Sequence, residues 1–181
     1  MISLSLDFEI LYFIQEHIVC DVLNSIMVFI SSLGNSGAIW IITAIALIIP
    51  KKTRKCGILI LCALTLSLIT GEVITKNLVA RIRPCNIDLT VNMIIERPKT
   101  YSFPSGHSSS AFAATAVIFY FYKKAGFVAL TMASLMAFSR MYLFVHFPTD
   151  VICGILWGIA SAIIVISIYK KLCEDKQTSL K

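Results

Sequence analysis

The amino-acid sequence predicts an all-α polytopic membrane protein. It forms a single membrane-embedded domain over residues 1–181, a six-helix transmembrane bundle with an N-terminal interfacial amphipathic helix. The chain is 57% hydrophobic and only 14% charged, with a mean hydropathy of +0.84, whereas soluble domains are about half apolar and a quarter charged. Apolar stretches long enough to cross a bilayer, roughly 20 residues each, recur along the chain. Basic residues gather between them, so the composition excludes an ordinary soluble domain.

The helices are placed by where the apolar runs begin and end. Residues 1–18 lack the basic start and small-residue cleavage site of a signal peptide, and are typical of an amphipathic helix in the membrane interface. The motif SSLGNSG divides the next region into two short runs. The six predicted spans are residues 19–32, 38–49, 56–79, 108–122, 125–143 and 151–169. Residues 171–181 remain as a cytoplasmic tail.

The positive charges orient the predicted bundle. Ten of the sixteen basic residues form three clusters, namely Lys51, Lys52, Arg54 and Lys55; Lys123 and Lys124; and Lys170, Lys171, Lys176 and Lys181. Six alternating spans place all three clusters on one side, which the positive-inside rule makes cytoplasmic. Topology thus accounts for most of the basic residues, and we expect no nucleic-acid partner. The remaining six lie toward the opposite face, where a bound anion would explain them: Lys76, Arg81, Arg83, Arg97, Lys99 and Arg140.

The segment KNLVARIRP, residues 76–84, supplies the first candidate site residues. On a helix, residues seven apart return to within about 20° of the same direction, so Lys76 and Arg83 would share a stripe while Arg81 points elsewhere. Pro84 disfavours helix at Arg83 and marks the end of the span. Basic side chains that extend from a helix end to the interface are an alternative. Glu72, one turn earlier, is a candidate charge partner for Lys76.

The segment YSFPSGHSSSAF, residues 101–112, marks a helix N-terminus ahead of an apolar run. Free backbone N–H groups and the positive end of the helix dipole make such a terminus an anion site. His107 lies within it. A capping motif followed by a structural histidine is the alternative.

The segment SRMYLFVHFPTD, residues 139–150, carries three ionisable groups in an otherwise apolar stretch. Pro148 suits the first position of a helix, which places Asp150 in the first turn, within reach of His146. A carboxylate that holds one imidazole nitrogen leaves the other free to attack or to accept a proton. Arg140 ends the preceding span on the same side. An aspartate cap beside an interfacial histidine is again the alternative.

Together the three segments bring cations, a glycine-containing helix N-terminus and two histidines to one membrane face. A phosphoryl group needs such a site, because its oxygens are held by cations and N–H groups while a nucleophile and an acid act on opposite sides. The residues Lys76…Arg83-Pro84, Pro104-Ser105-Gly106-His107 and Ser139-Arg140…His146…Asp150 resemble the three-part signature of the type 2 phosphatidic acid phosphatase family. The resemblance extends from about Cys56 to Tyr169.

The resemblance implies a metal-independent phosphatase with a role for each matching residue. His146 would be the nucleophile that forms a phosphohistidine, Asp150 would hold its tautomer, and His107 would protonate the leaving oxygen. The phosphate would be bound by Lys76, Arg83, Ser105, Gly106 and Arg140. Arg81, Arg97 and Lys99 match no signature position; they would attract an anionic head group or, as we favour, be solvated loop charges. His17 matches nothing either, and we expect it at the interface.

The substrate implied by the resemblance is a membrane lipid phosphate, with no cofactor. Undecaprenyl diphosphate is favoured, because a site at the outer face of a bacterial cytoplasmic membrane suits recycling of the cell-wall carrier; phosphatidylglycerophosphate and phosphatidic acid are alternatives. The six cysteines contain no CxxC pair, which favours packing roles over a disulfide framework or zinc site. A small transporter or channel is the non-enzyme alternative. The sequence leaves the oligomeric state open.

Overall fold

The computed structural model describes residues 2–178, and side chains over residues 5–175. The described chain is helical throughout its regular structure, with no strand. Its α-helices are α1 (Ile2–His17), α2 (Asp21–Leu33), α3 (Ala38–Ile48), α4 (Arg54–Ser67), α5 (Lys76–Val79), α6 (Pro84–Ile87), α7 (Gly106–Phe121), α8 (Lys123–Tyr142) and α9 (Pro148–Thr178). A π-helical segment, Leu68–Thr75, joins α4 to α5. The all-α prediction is confirmed for this part of the chain.

Helices occur at all six predicted span positions, but they are unequal in length. Three described segments are long and apolar enough to cross a membrane: Arg54–Ile87, Lys123–Tyr142 and Pro148–Asp175. A fourth exists if α2 and α3 form one span, because they are bent by 48° at their junction. Ser36 and Gly37, both with positive φ, lie at this bend, where the sequence predicted a break. The protein is therefore a multi-pass membrane protein, while the count of six spans stays a prediction.

Helix α1 lies against the bundle through α8 and α9. Asp7, Leu11 and Ile14 are buried, whereas Leu6 and Phe13 on its other side are exposed. Apolar side chains thus occur on both sides of the helix, so its predicted place in the membrane interface stays a prediction. Helix α9 continues through the predicted tail to Thr178, and residues 179–181 lie outside the described part.

Helix α7 is the centre of the bundle and packs against α4, α8 and α9. Its inner residues include Ala111, Ala113 and Ala114, all fully buried. Gly154 and Gly158 of α9 face the α7 backbone, where an added Cβ would collide with the carbonyl oxygens of Ser105 and Ser109. Small residues allow this close approach between membrane helices, and the contact fixes the start of α7 beside the start of α9.

The basic clusters meet at one end of the bundle. The hydroxyl of Tyr122 donates to the carbonyl of Lys52 at 3.3 Å, which joins the first cluster to the second. Lys170 lies over the ring of Tyr120, 5.2 Å from its centroid, which adds the third. The C-terminal parts of α7 and α9 lie at this basic end, so their first residues, Gly106 and Pro148, lie at the opposite end of the bundle.

Candidate active site

A cavity of about 780 Å³ opens at the end of the bundle opposite the basic clusters. Six of the eight predicted site residues line it: Lys76, Arg83, Gly106, His107, Arg140 and His146. Ser105 and Asp150 lie behind this lining, fully buried. Residues from the three segments marked in the sequence therefore meet at one cavity, and their roles in binding and catalysis stay predictions.

His146 lies in the turn between α8 and α9. The turn reverses at Phe144, whose φ is +56°, and Pro148 starts the next helix. Arg83 Nη1 donates to His146 Nε2 at 3.0 Å. Since a guanidinium has no acceptor, Nε2 must accept and the ring proton sits on Nδ1. The lone pair of Nε2 is therefore on the side of the cations.

The protonation state of His146 follows from its surroundings. Burial lowers the pKa of the imidazole well below its usual 6.5, and Arg83, Arg140 and Lys76 lower it further. Burial and nearby cations both disfavour a positively charged ring. The free protein thus holds His146 neutral at pH 7, the state in which an imidazole can act as a nucleophile.

Asp150 does not make the predicted hydrogen bond to His146. Its Oδ2 lies 3.7 Å from His146 Nδ1, too far for a hydrogen bond. Oδ2 accepts instead from the backbone N–H of Phe147 at 2.9 Å, and Oδ1 from Arg81 Nη1 at 2.6 Å. The carboxylate is drawn to the free amide at the start of α9 and to a cation, so it faces the ring nitrogen without binding it.

Arg83 reaches the cavity by a route that the sequence analysis did not predict. The helix ends at Val79 because Ala80 adopts the left-handed conformation, with φ at +47°, so the predicted helical stripe through residue 83 is wrong. The guanidinium is fixed by Thr100, which accepts at its carbonyl (2.7 Å) and its hydroxyl (2.9 Å), and by the carbonyl of Val145 at 2.8 Å. Thr100 belongs to the connector between α6 and α7, residues 88–105.

Lys76 is paired with Glu72 inside the cavity. Its Nζ donates to both carboxylate oxygens at 2.7 Å, which confirms the predicted charge pair. The π-helical segment carries Glu72 against the start of α7, where a Cβ on Gly106 would collide with its carboxylate. Such segments occur often at functional sites. Gly106 is needed here for close approach.

The start of α7 holds the second histidine. Ser105 caps the helix, and its Oγ accepts from the backbone N–H of Ser108 at 3.4 Å and from the Ser108 hydroxyl at 3.0 Å. The hydroxyl of Ser105 is thus engaged away from the cavity, while its predicted phosphate contact stays untested. His107 Nε2 lies 3.2 Å from Asn35 Oδ1. Asn35 belongs to the SSLGNSG motif, which in the sequence indicates only a break between two helices.

Arg140 is buried at the end of α8, with 5% of its surface exposed. Its Nη1 donates to the hydroxyl of Ser31 on α2. Its Nε is buried and has no hydrogen-bond acceptor among the described side chains and backbone, so it is available to an anion oxygen. Ser31 opens the SSLGNSG motif, which marks a break between helices but gives no sign of a contact with Arg140.

The charges outside the signature differ from one another. Arg81 is not a solvated loop charge, which corrects the favoured interpretation, because it donates to Asp150 and, at 2.7 Å, to Asp7. Arg97 donates to the carbonyls of Leu89 and Val91 within the connector, and Lys99 is exposed.

The chain is similar to known proteins in both sequence and fold. The PAP2 superfamily profile matches residues 56–173. An undecaprenyl-diphosphatase of Sulfolobus acidocaldarius is 35% identical over 137 residues, which are 75% of this chain and 66% of that protein, just under two thirds of its length. The crystal structure of Aquifex aeolicus LpxE superposes with a TM-score of 0.77 at 28% identity, covering 90% of this chain and 95% of the other. That of a PAP2 type phosphatidylglycerolphosphate phosphatase from Bacillus subtilis gives 0.74 at 26% identity, covering 92% and 86%.

Proposed function

Because the chain belongs to the PAP2 superfamily, we propose that it is an integral-membrane phosphatase that removes a phosphate or diphosphate head group from a lipid through a phosphohistidine on His146. One observation carries the proposal. The neutral His146 presents Nε2 beside Arg83, in a cavity that Lys76 and Arg140 also line. Three cations around a neutral nucleophile suit a phosphate and the charge that develops on its oxygens during attack.

The reaction has two steps. In the free protein, burial together with Arg140 and His146 lowers the pKa of His107 to about 2, and the negative charge of a bound phosphate favours its imidazolium form. In the first step, Arg83 Nη1 gives up its hydrogen bond to Nε2 for one to a phosphate oxygen, and the freed lone pair of Nε2 attacks phosphorus. The bond to the lipid oxygen breaks, and the His107 imidazolium gives that oxygen a proton. In the second, water attacks the phosphohistidine, the N–P bond breaks, and the proton lost by water returns to His107. Asn35 Oδ1 holds the His107 ring in place. No step calls for a metal, since the side chains supply the nucleophile, the acid and the positive charge.

The proposed substrate is undecaprenyl diphosphate, converted to the monophosphate. The identity to an undecaprenyl-diphosphatase supports it, and the likeness to a phosphatidylglycerolphosphate phosphatase keeps phosphatidylglycerophosphate, with phosphatidic acid, as the alternative. The cavity residues named above would contact the phosphate rather than the lipid chain, so they do not select among these lipids. The shared chemistry is a phosphate ester or anhydride held at the membrane surface.

The proposed location is a bacterial cytoplasmic membrane, with the cavity at its outer face. The meeting of the three basic clusters at one end of the bundle supports this orientation, since cytoplasmic ends of membrane helices are rich in Lys and Arg. The cavity then opens where a lipid of the outer leaflet places its head group.

Phosphate release from purified protein tests the proposal. The wild-type chain in detergent with excess EDTA should release inorganic phosphate from undecaprenyl diphosphate faster than from phosphatidylglycerophosphate or phosphatidic acid, and His146→Ala should release none. Preference for another lipid would change the substrate but keep the reaction. No release from any lipid phosphate would contradict the function, and activity that needs added Mg²⁺ would contradict the metal-free mechanism.

A further inference from the structure

We propose that Asp7 is a positioning residue for this reaction: it offsets the charge of Arg81, which is paired with Asp150 behind His146, so that a net negative charge remains beside the histidine. The inference rests on the proposed function, because it acts through His146 as the nucleophile. Neither Asp7 nor Arg81 belongs to the signature, and Asp7 lies outside the segment that matches the family.

Arg81 bridges two buried carboxylates. Its Nη1 donates to Asp150 Oδ1 at 2.6 Å and its Nη2 to Asp7 Oδ2 at 2.7 Å. Asp150 is fully buried and Asp7 is 2% exposed. The guanidinium also lies over the ring of Phe147, 4.0 Å from the centroid. It is thus held on three sides, next to the turn that carries His146.

Asp7 also binds the first turn of α9. Its Oδ1 accepts from the backbone N–H of Thr149 at 3.1 Å and its Oδ2 from the Thr149 hydroxyl at 2.6 Å. Arg81 Nη1 donates to the same hydroxyl at 2.8 Å. Helix α1 is therefore joined to the residue between Pro148 and Asp150, directly behind the site.

The charges decide what this arrangement does. Two carboxylates and one guanidinium in contact leave one net negative charge. If Arg81 and Asp150 stood alone, the pair would be neutral. His146 becomes positively charged when Nε2 bonds to phosphorus, and Lys76, Arg83 and Arg140 already surround it. A net negative charge near Nδ1, on the other side of the ring, opposes their repulsion and stabilises the cationic phosphohistidine.

A purely structural role for Asp7 is the competing explanation, since a carboxylate at a helix N-terminus stabilises that helix. The two explanations differ in what a second substitution does. If Asp7 acts through charge, removing the charge of Arg81 as well should restore the balance. If Asp7 only supports α9, removing Arg81 as a second partner should lower kcat further.

The experiment compares Asp7→Asn with the double variant Asp7→Asn/Arg81→Gln. With p-nitrophenyl phosphate and with the lipid substrate, Asp7→Asn should lower kcat roughly tenfold with KM changed by no more than about twofold, because Asp7 does not line the cavity. The double variant should turn over faster than Asp7→Asn. Rapid-quench trapping should show the loss and its recovery in the rate at which the phosphoenzyme forms.

Asp88→Asn is the matched control. Asp88 also loses a carboxylate and also contacts α1, through the hydroxyl of Tyr12 at 2.7 Å, but its other partner is Thr90 rather than Arg81. Its kcat should equal that of the wild type. The inhibition constant for inorganic phosphate is measured in each variant, and a value equal to that of the wild type shows that the cavity is intact.

The outcomes separate the inference from the proposed function. An active wild type with unchanged kcat in Asp7→Asn, or a double variant slower than Asp7→Asn, overturns the inference and leaves the function standing. A wild type without phosphatase activity overturns both. If Asp7→Asn does not fold, the double variant decides: kcat within about tenfold of the wild type supports the inference, and a greater loss overturns it.

Discussion

His146 and His107 are both in the cavity, yet their contacts separate their roles. His146 accepts from Arg83 and faces a carboxylate, whereas His107 contacts Asn35 near the cavity wall. A nucleophile is needed for every substrate. An acid matters in proportion to how poorly the leaving oxygen carries negative charge.

His107→Ala should therefore lose much more activity on a lipid monophosphate than on p-nitrophenyl phosphate. General acid catalysis contributes roughly 10²–10⁴-fold, and nearly all of it is needed when an alkoxide departs, whereas p-nitrophenolate leaves without a proton. Steady-state kinetics of the variant on both substrates measures the difference. Equal losses on the two substrates would contradict the assignment of His107 as the acid.

The imidazole of His146 should stay neutral in the free protein as the pH falls through 6.5. Burial and the cations around it lower its pKa well below that value, so the folded protein binds no proton there while the unfolded chain does. The stability contributed by the neutral ring is therefore present above pH 6.5 and is lost as the pH falls below it, by up to about 1.4 kcal/mol per pH unit. NMR of ¹⁵N-histidine, assigned with His146→Asn, measures the titration; half-protonation near pH 6.5 would contradict it.

Single residues of the site could be predicted only where the residues next to them in the sequence indicate a helix start or a charged site. PSGH and HFPTD place a histidine beside a helix start, and both histidines line the cavity or its wall. Asp7, Asn35 and Thr100 gave no such signal, because their partners are far away in sequence: Asp7 contacts Arg81, and Asn35 contacts His107. Only the folded chain brings these pairs together.

At the scale of the elements, the π-helical segment Leu68–Thr75 decides how Lys76 enters the cavity. It presents Glu72 to both Lys76 and the start of α7. In the free protein the ammonium group of Lys76 is therefore already bound to a carboxylate. A phosphate that binds Lys76 competes with Glu72 for it.

Glu72→Gln should bind inorganic phosphate several-fold more tightly than the wild type, since the amide removes a negative charge from an anion site; a change of roughly threefold to tenfold is expected for an ion pair that is partly exposed. Competitive inhibition of p-nitrophenyl phosphate hydrolysis measures it. Glu16→Gln, an exposed position on α1 that does not line the cavity, is the matched control and should leave phosphate binding unchanged. Weaker phosphate binding in Glu72→Gln would show instead that Glu72 is needed to place Lys76.

The ends of the helices could be predicted where Gly, Ser, Asn or Pro residues mark them. SSLGNSG forms the bend between α2 and α3, and Pro148 begins α9. The end of α5 was not predictable, because the residue that turns the chain is Ala80 with positive φ, a conformation usually supplied by Gly or Asn. The sequence therefore predicts one helical stripe through Lys76 and Arg83, whereas Arg83 reaches the cavity after the turn at Ala80.

For the whole molecule, placing the basic clusters together depends on four helical segments only. Two helical segments, Arg54–Ile87 and α7, lie between the basic cluster at residues 51–55 and the one at residues 123–124. Two more, α8 and most of α9, lie between the second cluster and residues 170–171. An even number of crossings between clusters returns the chain to the same side. The proposed orientation is therefore the same whether α2 and α3 form two spans or one bent pair.

Thiol labelling in intact cells tests this orientation. Two proteins with a single cysteine each are compared. One keeps Cys173, which is exposed at the basic end, and the other carries only Lys99→Cys, at an exposed position before α7 at the cavity end. An impermeant maleimide should label Lys99→Cys in intact cells and reach Cys173 only after the cells are opened. Cys85 is unsuitable because it is buried. Labelling of Cys173 in intact cells, with Lys99→Cys protected, would reverse the topology.

Trapping the phosphoenzyme tests the central claim, that His146 carries the phosphate, most directly. Protein mixed with ³²P-labelled substrate and quenched within milliseconds into alkali should retain labelled phosphate, because phosphohistidine is stable in alkali and labile in acid. Peptide mapping should place the label on His146, and His146→Ala should retain none while His107→Ala still does with p-nitrophenyl [³²P]phosphate. Label on any other residue, or label that persists in His146→Ala, would contradict the mechanism.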